Sequence, residues 1–542
     1  MTAAAQRNIL EAVWDGRDTL GNTPMLTFVN VEPDGSLSEV LRSYADLWRN
    51  GGAVCAALQA EGMGEGDALG LVMHSHAEFV DCMVGSSMAG TVYVPLDPRI
   101  TGEKLRYMLD FAGCRGVVVA DYALRHVEEI LGRLPQLEWI WVLGTVPDEH
   151  HMPGRRYRTM ADVLACDVTE QPLRKIDPAS PMQMIFTSGT TGDPKAILSP
   201  HGRFMFAANV GSMLGLTPQD KPYTGLPLSH SNGQLMTLGN ALTMQLQAVI
   251  SRKFTKSRLW EILTKYGCTT FNLLGGMTTA IFAEPASAYD RTHKVRFVLS
   301  AGMPAAMWET FADRFGVEIF EFYGTAEGGL LLNPPPGAKI GSVGRAPAGT
   351  QCEILDDDDN RVADGQLGEI CFRNADGTVA PVSYYRNEAA SQAKTRGGWF
   401  RSGDIGWRDA EGWFYFAHRI GTAIRRNGEF IAPSDVEKVL AEDETVNDVY
   451  VYGIKTSANA PGEREVVAAI VPSPGVFDPA AVLARCRKAL SVNSVPTILQ
   501  IVAEIPKTAS EKPQERFLME MLEARSSDVF TTNPDQKIEI GE

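Results

Sequence analysis

The chain has 542 residues and a formal net charge of −16, from 50 lysines and arginines against 66 aspartates and glutamates. That length exceeds one ordinary hydrophobic core and points to two or three domains. The acidity speaks against a nucleic-acid partner while leaving room for a local cationic site.

The eight cysteines (Cys55, Cys82, Cys114, Cys166, Cys268, Cys352, Cys371, Cys486) are scattered without a C-x-x-C pair. No zinc site or disulfide framework is expected, and reduced thiols in a cytoplasm are the default. The opening residues, MTAAAQRNILEAVWDG, contain acids and no apolar run, unlike a secretory leader.

Residues 42–62 set Leu47, Val54 and Leu58 at helical spacing and end at a glycine, which predicts an amphipathic helix. Apolar runs at 68–73, 92–95 and 116–120 predict buried strands, with helices at 78–90 and 105–113. Such alternation predicts a largely parallel, doubly wound sheet. The polar stretch 144–180, with Pro147, Pro153, Pro172 and Pro178, reads as a connection between subdomains. A second series has strands at 248–250, 269–272, 295–299 and 318–322. After Gly341 come short antiparallel strands at 351–355, 368–373 and 413–416, a small β-rich subdomain. From about residue 421 a small α+β domain is expected, with helices at 433–440 and 478–490 and strands at 446–452 and 466–471. Residues 526–542 are polar and expected to fray. No run of about 18 apolar residues and no basic amphipathic segment points to a membrane partner.

The most informative stretch is IFTSGTTGDPKAILSP, residues 185–200. An apolar strand end leads into Thr187, Ser188, Gly189, Thr190, Thr191 and Gly192. Two glycines let the backbone turn tightly, and the hydroxyls and amides between them can donate to phosphate oxygens. Lys195 adds a flexible cation. The spacing is not that of a Walker A loop, which needs four residues between its glycines and Lys-Ser/Thr directly after the second.

SGTTGDPK resembles the phosphate-loop signature of the adenylate-forming superfamily: acyl-CoA synthetases, adenylation domains of peptide synthetases, and luciferases. Further motifs of that family follow in order over nearly the whole chain. The resemblance implies an α/β fold with a large N-terminal domain of doubly wound sheets and a β-rich subdomain (1–420). A small mobile α+β C-terminal domain (421–525) and a polar tail (526–542) follow. Carried over residue by residue, it places His230 of LPLSHSNG against the acyl substrate, as a catalytic candidate. A general-base role is disfavoured, because a carboxylate attacking ATP carries no proton to remove. In FYGTAEG it sets Tyr323 against adenine, Gly324 among the ATP-binding residues, Thr325 at the α-phosphate and Glu327 on Mg²⁺. Magnesium is usually held by one or two carboxylates with phosphate. Ala301 and Gly302, in SAGMP, border the nucleotide and acyl pockets, and Gly276 and Met277 are candidate acyl-pocket residues.

In WFRSGDIG the resemblance makes Asp404 the acceptor of both ribose hydroxyls, which the two oxygens of one carboxylate permit. Arg419 also contacts ribose or phosphate. Two positions on, the family hinge is Gly421 here, and Asn427, Gly428 and Glu429 match a loop turned toward CoA. In PKTASEK, Lys512 aligns with the lysine that bridges carboxylate and α-phosphate, an electrostatic role. Glu511 stands where the family has glycine. That feature is shared with AMP-forming ligases of the carnitine/crotonobetaine type, which the chain most resembles.

The implied activity is that of an AMP-forming acyl-CoA synthetase. A small or medium carboxylate, MgATP and CoA give an acyl adenylate and then a thioester, with no nucleic-acid or membrane partner. Two other readings stay open: adenylation for a non-CoA acceptor, and a nucleotide-binding protein without catalysis. The acid and the oligomeric state are not legible.

Overall fold

The structure is a computed structural model. It describes residues 8–146, 154–166, 170–187, 194–420, 424–426, 429–431, 433–455, 464–475, 477–508, 513–524 and 527–531. The chain divides into two compact units: residues 1–344 with 380–395, and residues 345–379 with 396–542.

The first unit holds two large sheets. One has seven strands in the order Arg156–Thr159, Trp139–Leu143, Cys114–Ala120, Ala68–Val72, Val92–Leu96, Pro181–Thr187 and Lys195–Pro200. Its pairs are parallel except the last, where Thr187 opposes Lys195. The strands read as unbroken apolar runs because helices cover both faces, as in Gly116–Ala120, which is buried throughout. The stretch expected to be only a connection, 144–180, is corrected here. Arg156–Thr159 adds an edge strand beside Trp139–Leu143, and helix Met160–Leu164 follows it. Prolines flanking a four-residue strand hid it.

The second sheet runs Leu331–Asn333, Glu318–Tyr323, Phe297–Ala301, Thr270–Leu274, Pro222–Thr224, Ala248–Ser251, Pro24–Val31 and Leu37–Ser43. It is parallel through the middle and antiparallel at both ends. One core joins the two sheets. It includes Trp139, Trp141 and Tyr93 from the first and Leu26, Ile250, Leu299 and Phe320 from the second. Helix Tyr44–Ala60 starts with a Ser43/Asp46 capping box. It packs closely on helix Ala77–Ala89, since a Cβ on Gly51 would come within 2.6 Å of Val84 Cγ1.

The second unit contains an antiparallel sheet of Thr350–Leu355, Gly368–Asn374, Phe400–Arg408 and Phe414–Arg419. It also contains a mixed sheet of Val446–Ile454, Glu465–Pro472, Ile498–Ile501 and Asp528–Thr531, with helices Pro433–Ala441, Pro479–Ala489 and Glu515–Glu523. The tail expected to fray from residue 526 is corrected in part. Asp528–Thr531 pairs antiparallel with Ile498–Ile501, and Val529 packs on the core formed by Tyr452, Val467 and Leu518. Alternation over four residues amid polar neighbours is too short a signal to read. The expected α/β class holds.

Candidate functional site

Four adjacent parallel strands of the second sheet deliver the first set of predicted residues at their carboxyl ends, where open α/β sheets bind ligands. After Pro222–Thr224 comes Leu226–His230. After Thr270–Leu274 come Gly275, Gly276 and Met277, and Phe297–Ala301 leads to Gly302. Glu318–Tyr323 leads to Gly324 and Thr325. Leu274 pairs with Ala301, and a Cβ on Gly275 would sit 2.6 Å from the Gly302 carbonyl oxygen. Gly302 itself has φ of +105°, a conformation that only glycine adopts without strain. The floor between these strands is therefore bare backbone. Gly276 is exposed, whereas Met277 is buried with Leu273, Ile281 and Trp308.

Glu321, which the sequence reading passed over, fixes this floor. One strand across from Ser300, its carboxyl group accepts the Gly302 N–H at 2.5 Å and the Met303 N–H at 3.1 Å. It is 2% exposed. Burial pushes its pKa up to about 7, against the pull of those two N–H groups.

His230 is half-buried at the start of an unusual turn. Its Nδ1 accepts the Asn232 N–H at 3.2 Å, which leaves the proton of the neutral ring on Nε2. Residues Asn232–Gly239 then form a π-helix, a widened turn found often at functional sites. That helix is tied to the central strand. Asn272 donates to the Asn232 side chain and accepts from Thr237 Oγ1 at 2.8 Å.

A second corner lies where strand Lys195–Pro200 returns antiparallel to Pro181–Thr187. Thr187 and Lys195 are paired at its base, while Ser188, Gly189, Thr190, Thr191 and Gly192 lie outside the described residues. The strand Lys195–Pro200 continues into helix His201–Ala207, which carries Arg203. Arg203 Nη2 donates to the Ala326 carbonyl, beside the turn in which Thr325 Oγ1 donates to the Gly328 carbonyl at 2.9 Å. Burial draws the Arg203 pKa below its ordinary value, and the nearby Glu327 and Tyr384 oppose that pull. The Tyr384 hydroxyl donates to Glu327 Oε1 at 2.8 Å. Lys195 Nζ lies 5.6 Å from the centre of the Tyr384 ring, within cation–π range.

Arg203 and Tyr384 also escaped the sequence reading. Tyr384 lies in SYYRNEAA, 57 residues beyond Glu327, and nothing local marks its return to this corner. Among the described residues no group of three or more His, Cys, Asp or Glu could hold a metal. A half-buried single carboxylate fits Mg²⁺ only as a partial ligand, completed by phosphate oxygens and water. The donor set therefore suits a cation that arrives with a nucleotide.

In the second unit, Asp404 and Arg419 oppose each other across two strands. Arg419 Nε and Nη2 reach Asp404 Oδ1 and Oδ2 at 2.7 and 3.3 Å. The aspartate side chain is 2% exposed and the arginine 43%. Gly403 N donates at 2.8 Å to Glu369, which also accepts from Arg401 at 2.9 Å, holding the bend before Asp404. Lys507 and Pro513, on either side of the segment that contains Lys512, pair in an antiparallel bridge. Lys512 itself, Glu511, Gly421, Asn427 and Gly428 lie outside the described residues. Of the expected CoA loop only the backbone of Glu429 is described, in strand Glu429–Ile431.

The family described as AMP-binding enzyme matches residues 30–381, and the one described as AMP-binding enzyme C-terminal domain matches residues 435–512. The chain is similar to a sulfoacetate–CoA ligase of Cupriavidus necator, 28% identical over 484 residues, covering 88% of this chain and 92% of that one. It is also similar to a crotonobetaine/carnitine–CoA ligase of Salmonella paratyphi A, 26% identical over 516 residues, covering 93% and 97%. Among solved structures, an anthranilate CoA ligase in complex with anthranoyl-AMP has a TM-score of 0.81 at 23% identity, covering 97% of this chain and 100% of that one. This last likeness speaks for the fold.

Proposed function

Because the chain belongs to the AMP-binding enzyme family, we infer that it is an AMP-forming acid–thiol ligase, which activates a carboxylic acid with ATP and passes the acyl group to CoA. The observation that carries the residue assignment is the corner in which Lys195, Arg203, Tyr384 and Glu327 meet beside the Thr325 turn. Two cations and one fixed carboxylate there suit a polyphosphate accompanied by a divalent cation.

In the first half-reaction the substrate carboxylate attacks the α-phosphorus of ATP and pyrophosphate leaves. Thr187–Gly192 and Lys195 hold the β- and γ-phosphates. Thr325 and Lys512 stabilise the charge that develops at the α-phosphate. Bound at Glu327, Mg²⁺ would supply further neutralisation of phosphate charge. Tyr323, Gly324, Ala301 and Gly302 bound the adenine, and Asp404 with Arg419 takes the ribose. His230, Gly276 and Gly302 face the acid, while Met277, buried with Leu273 and Trp308, does not, and the His230 Nε2 proton is a donor for the acid. In the second half-reaction the CoA thiolate attacks the acyl carbonyl and AMP leaves. A C-terminal domain beginning at residue 421 turns about Gly421, withdraws Lys512 and presents Asn427–Glu429 to CoA, so one pocket serves both steps in turn.

The substrate is a small or medium carboxylate and the setting cytoplasmic. Among the described residues no helix is long and apolar enough to cross a membrane. The test is pyrophosphate and AMP release across a panel of carboxylic acids with MgATP, with and without CoA. One acid class should support turnover to a thioester only with CoA. Lys512→Ala should slow pyrophosphate release by about 10²–10³-fold, the usual loss for one electrostatic donor. The same variant should still convert a synthetic acyl adenylate to thioester. Pyrophosphate without thioester would reassign the acceptor.

A further inference from the structure

The Glu327 carboxylate is held by a residue that enters the corner from a distant part of the chain. Residues 383–385 lie along the strand Lys195–Pro200: Leu198 N donates to the Ser383 carbonyl at 2.9 Å, and Tyr385 N donates to the Ala196 carbonyl at 2.8 Å. From the other side, Ser391 Oγ accepts the Tyr384 N–H at 2.9 Å. Ser391 belongs to helix Glu388–Lys394, which Asn387 caps through the Ala390 N–H. The Tyr384 backbone is thus fixed on both sides, and the side chain is 6% exposed. Its hydroxyl makes the 2.8 Å bond to Glu327 Oε1.

We propose that Tyr384 is the positioning residue that aims the Glu327 carboxylate at a nucleotide-bound divalent cation, with Arg203 anchoring the adjoining peptide. This rests on the ligase reading above. A glutamate in a turn next to Gly328 and Gly329, both at positive φ, would sample many rotamers if left to solvent. Engaging Oε1 with a rigid phenol restricts those rotamers and leaves Oε2 as the oxygen to offer a cation. Arg203 fixes the height of the turn through the Ala326 carbonyl. Carboxylate ligands held in this way by an outer partner typically lose 10- to 100-fold in metal affinity when the partner is removed.

The experiment is isothermal titration of the full chain without any carboxylic acid, so that nothing turns over. The two probes are MgATP and ATP with EDTA. Tyr384→Phe removes the hydroxyl and keeps the ring beside Lys195. It should weaken MgATP by about tenfold, leave ATP with EDTA unchanged and leave the melting temperature unchanged. In steady state it should raise the Mg²⁺ needed for half-maximal pyrophosphate release without changing KM for the acid. Arg203→Lys should retain more MgATP affinity than Arg203→Met. Wild-type affinity for MgATP in Tyr384→Phe would overturn the proposal, as would equal losses for both probes, which would mark a structural role. Glu327→Gln separates the two levels of argument. If it loses MgATP affinity while Tyr384→Phe does not, only the positioning role falls. If Glu327→Gln binds MgATP as wild type, the assignment of this corner falls with it.

Discussion

Replacing Glu321 with glutamine should reverse the sign of its effect on stability between acid and alkaline pH. Glu321 is 2% exposed and accepts two backbone N–H groups, at 2.5 and 3.1 Å. Burial raises its carboxyl from an ordinary 4.5 to about 7. The unfolded chain releases the proton near 4.5 and the folded chain near 7. The stability associated with the protonated form is therefore complete below about 4.5, falls as the pH rises and is gone above about 7. At 1.36 kcal/mol per pH unit the whole span is worth about 3 kcal/mol, of which about 2–3 kcal/mol falls between about pH 5 and about pH 8. Glutamine keeps one acceptor oxygen and turns the other into a donor, so it loses one N–H bond, about 1 kcal/mol. Glu321→Gln should thus be the less stable protein at about pH 4 and the more stable at about pH 8. Urea unfolding of both proteins at the two pH values, compared through midpoints at a shared m value, gives the difference directly. A difference that stays constant with pH would mean that Glu321 is ionised in the folded chain throughout, and the burial argument would be refuted.

Arg419→Met would leave the buried Asp404 carboxylate without its bidentate partner. Because the arginine is 43% exposed, solvent screens the pair and the expected loss is about 1–2 kcal/mol. Calorimetric titration with AMP should also show about tenfold weaker binding, as expected for one charge-assisted contact. Burial would raise the carboxyl of Asp220, but hydrogen bonds from Arg296, Thr269 and Thr217 overcome it and hold the pKa at about 2. The folded value is depressed, so this stability is present above about 3.8 and is lost as the pH falls through about 2. Asp220→Asn should therefore cost about 2 kcal/mol at neutral pH, with the gap to wild type narrowing in melts at about pH 3.

The parallel sheets were legible because their strands are unbroken apolar runs punctuated by glycine. The run at 68–73 became Ala68–Val72, that at 116–120 lengthened to Cys114–Ala120, and 318–322 became Glu318–Tyr323. Boundaries moved by a residue or two in either direction, because apolar character and hydrogen bonding do not end at the same residue. The short edge elements were not legible. Arg156–Thr159 and Asp528–Thr531 are four residues each, and a polar segment of that length becomes a strand only because a neighbour offers an unpaired edge. The candidate site divides in the same way. Glu327 and Asp404 stand inside contiguous motifs, whereas Glu321, Arg203 and Tyr384 owe their places to contacts between segments distant in sequence. Glu321 in particular reads as one charge in an apolar strand until the glycine turn beside it is seen.

The chain passes between its two units three times, at residues 344–345, 379–380 and 395–396. This has a bearing on how such a gene can be recombined. A breakpoint anywhere between residues 345 and 379 would join the Glu327 of one parent to the Tyr384 of another, and the return segment 380–395 to a Lys195–Pro200 strand it did not evolve with. Breakpoints beyond residue 396 keep that corner within one parental block. Viable hybrids should therefore accumulate on the far side of residue 396, and a shortened chain ending at residue 344 would lack part of its own first unit.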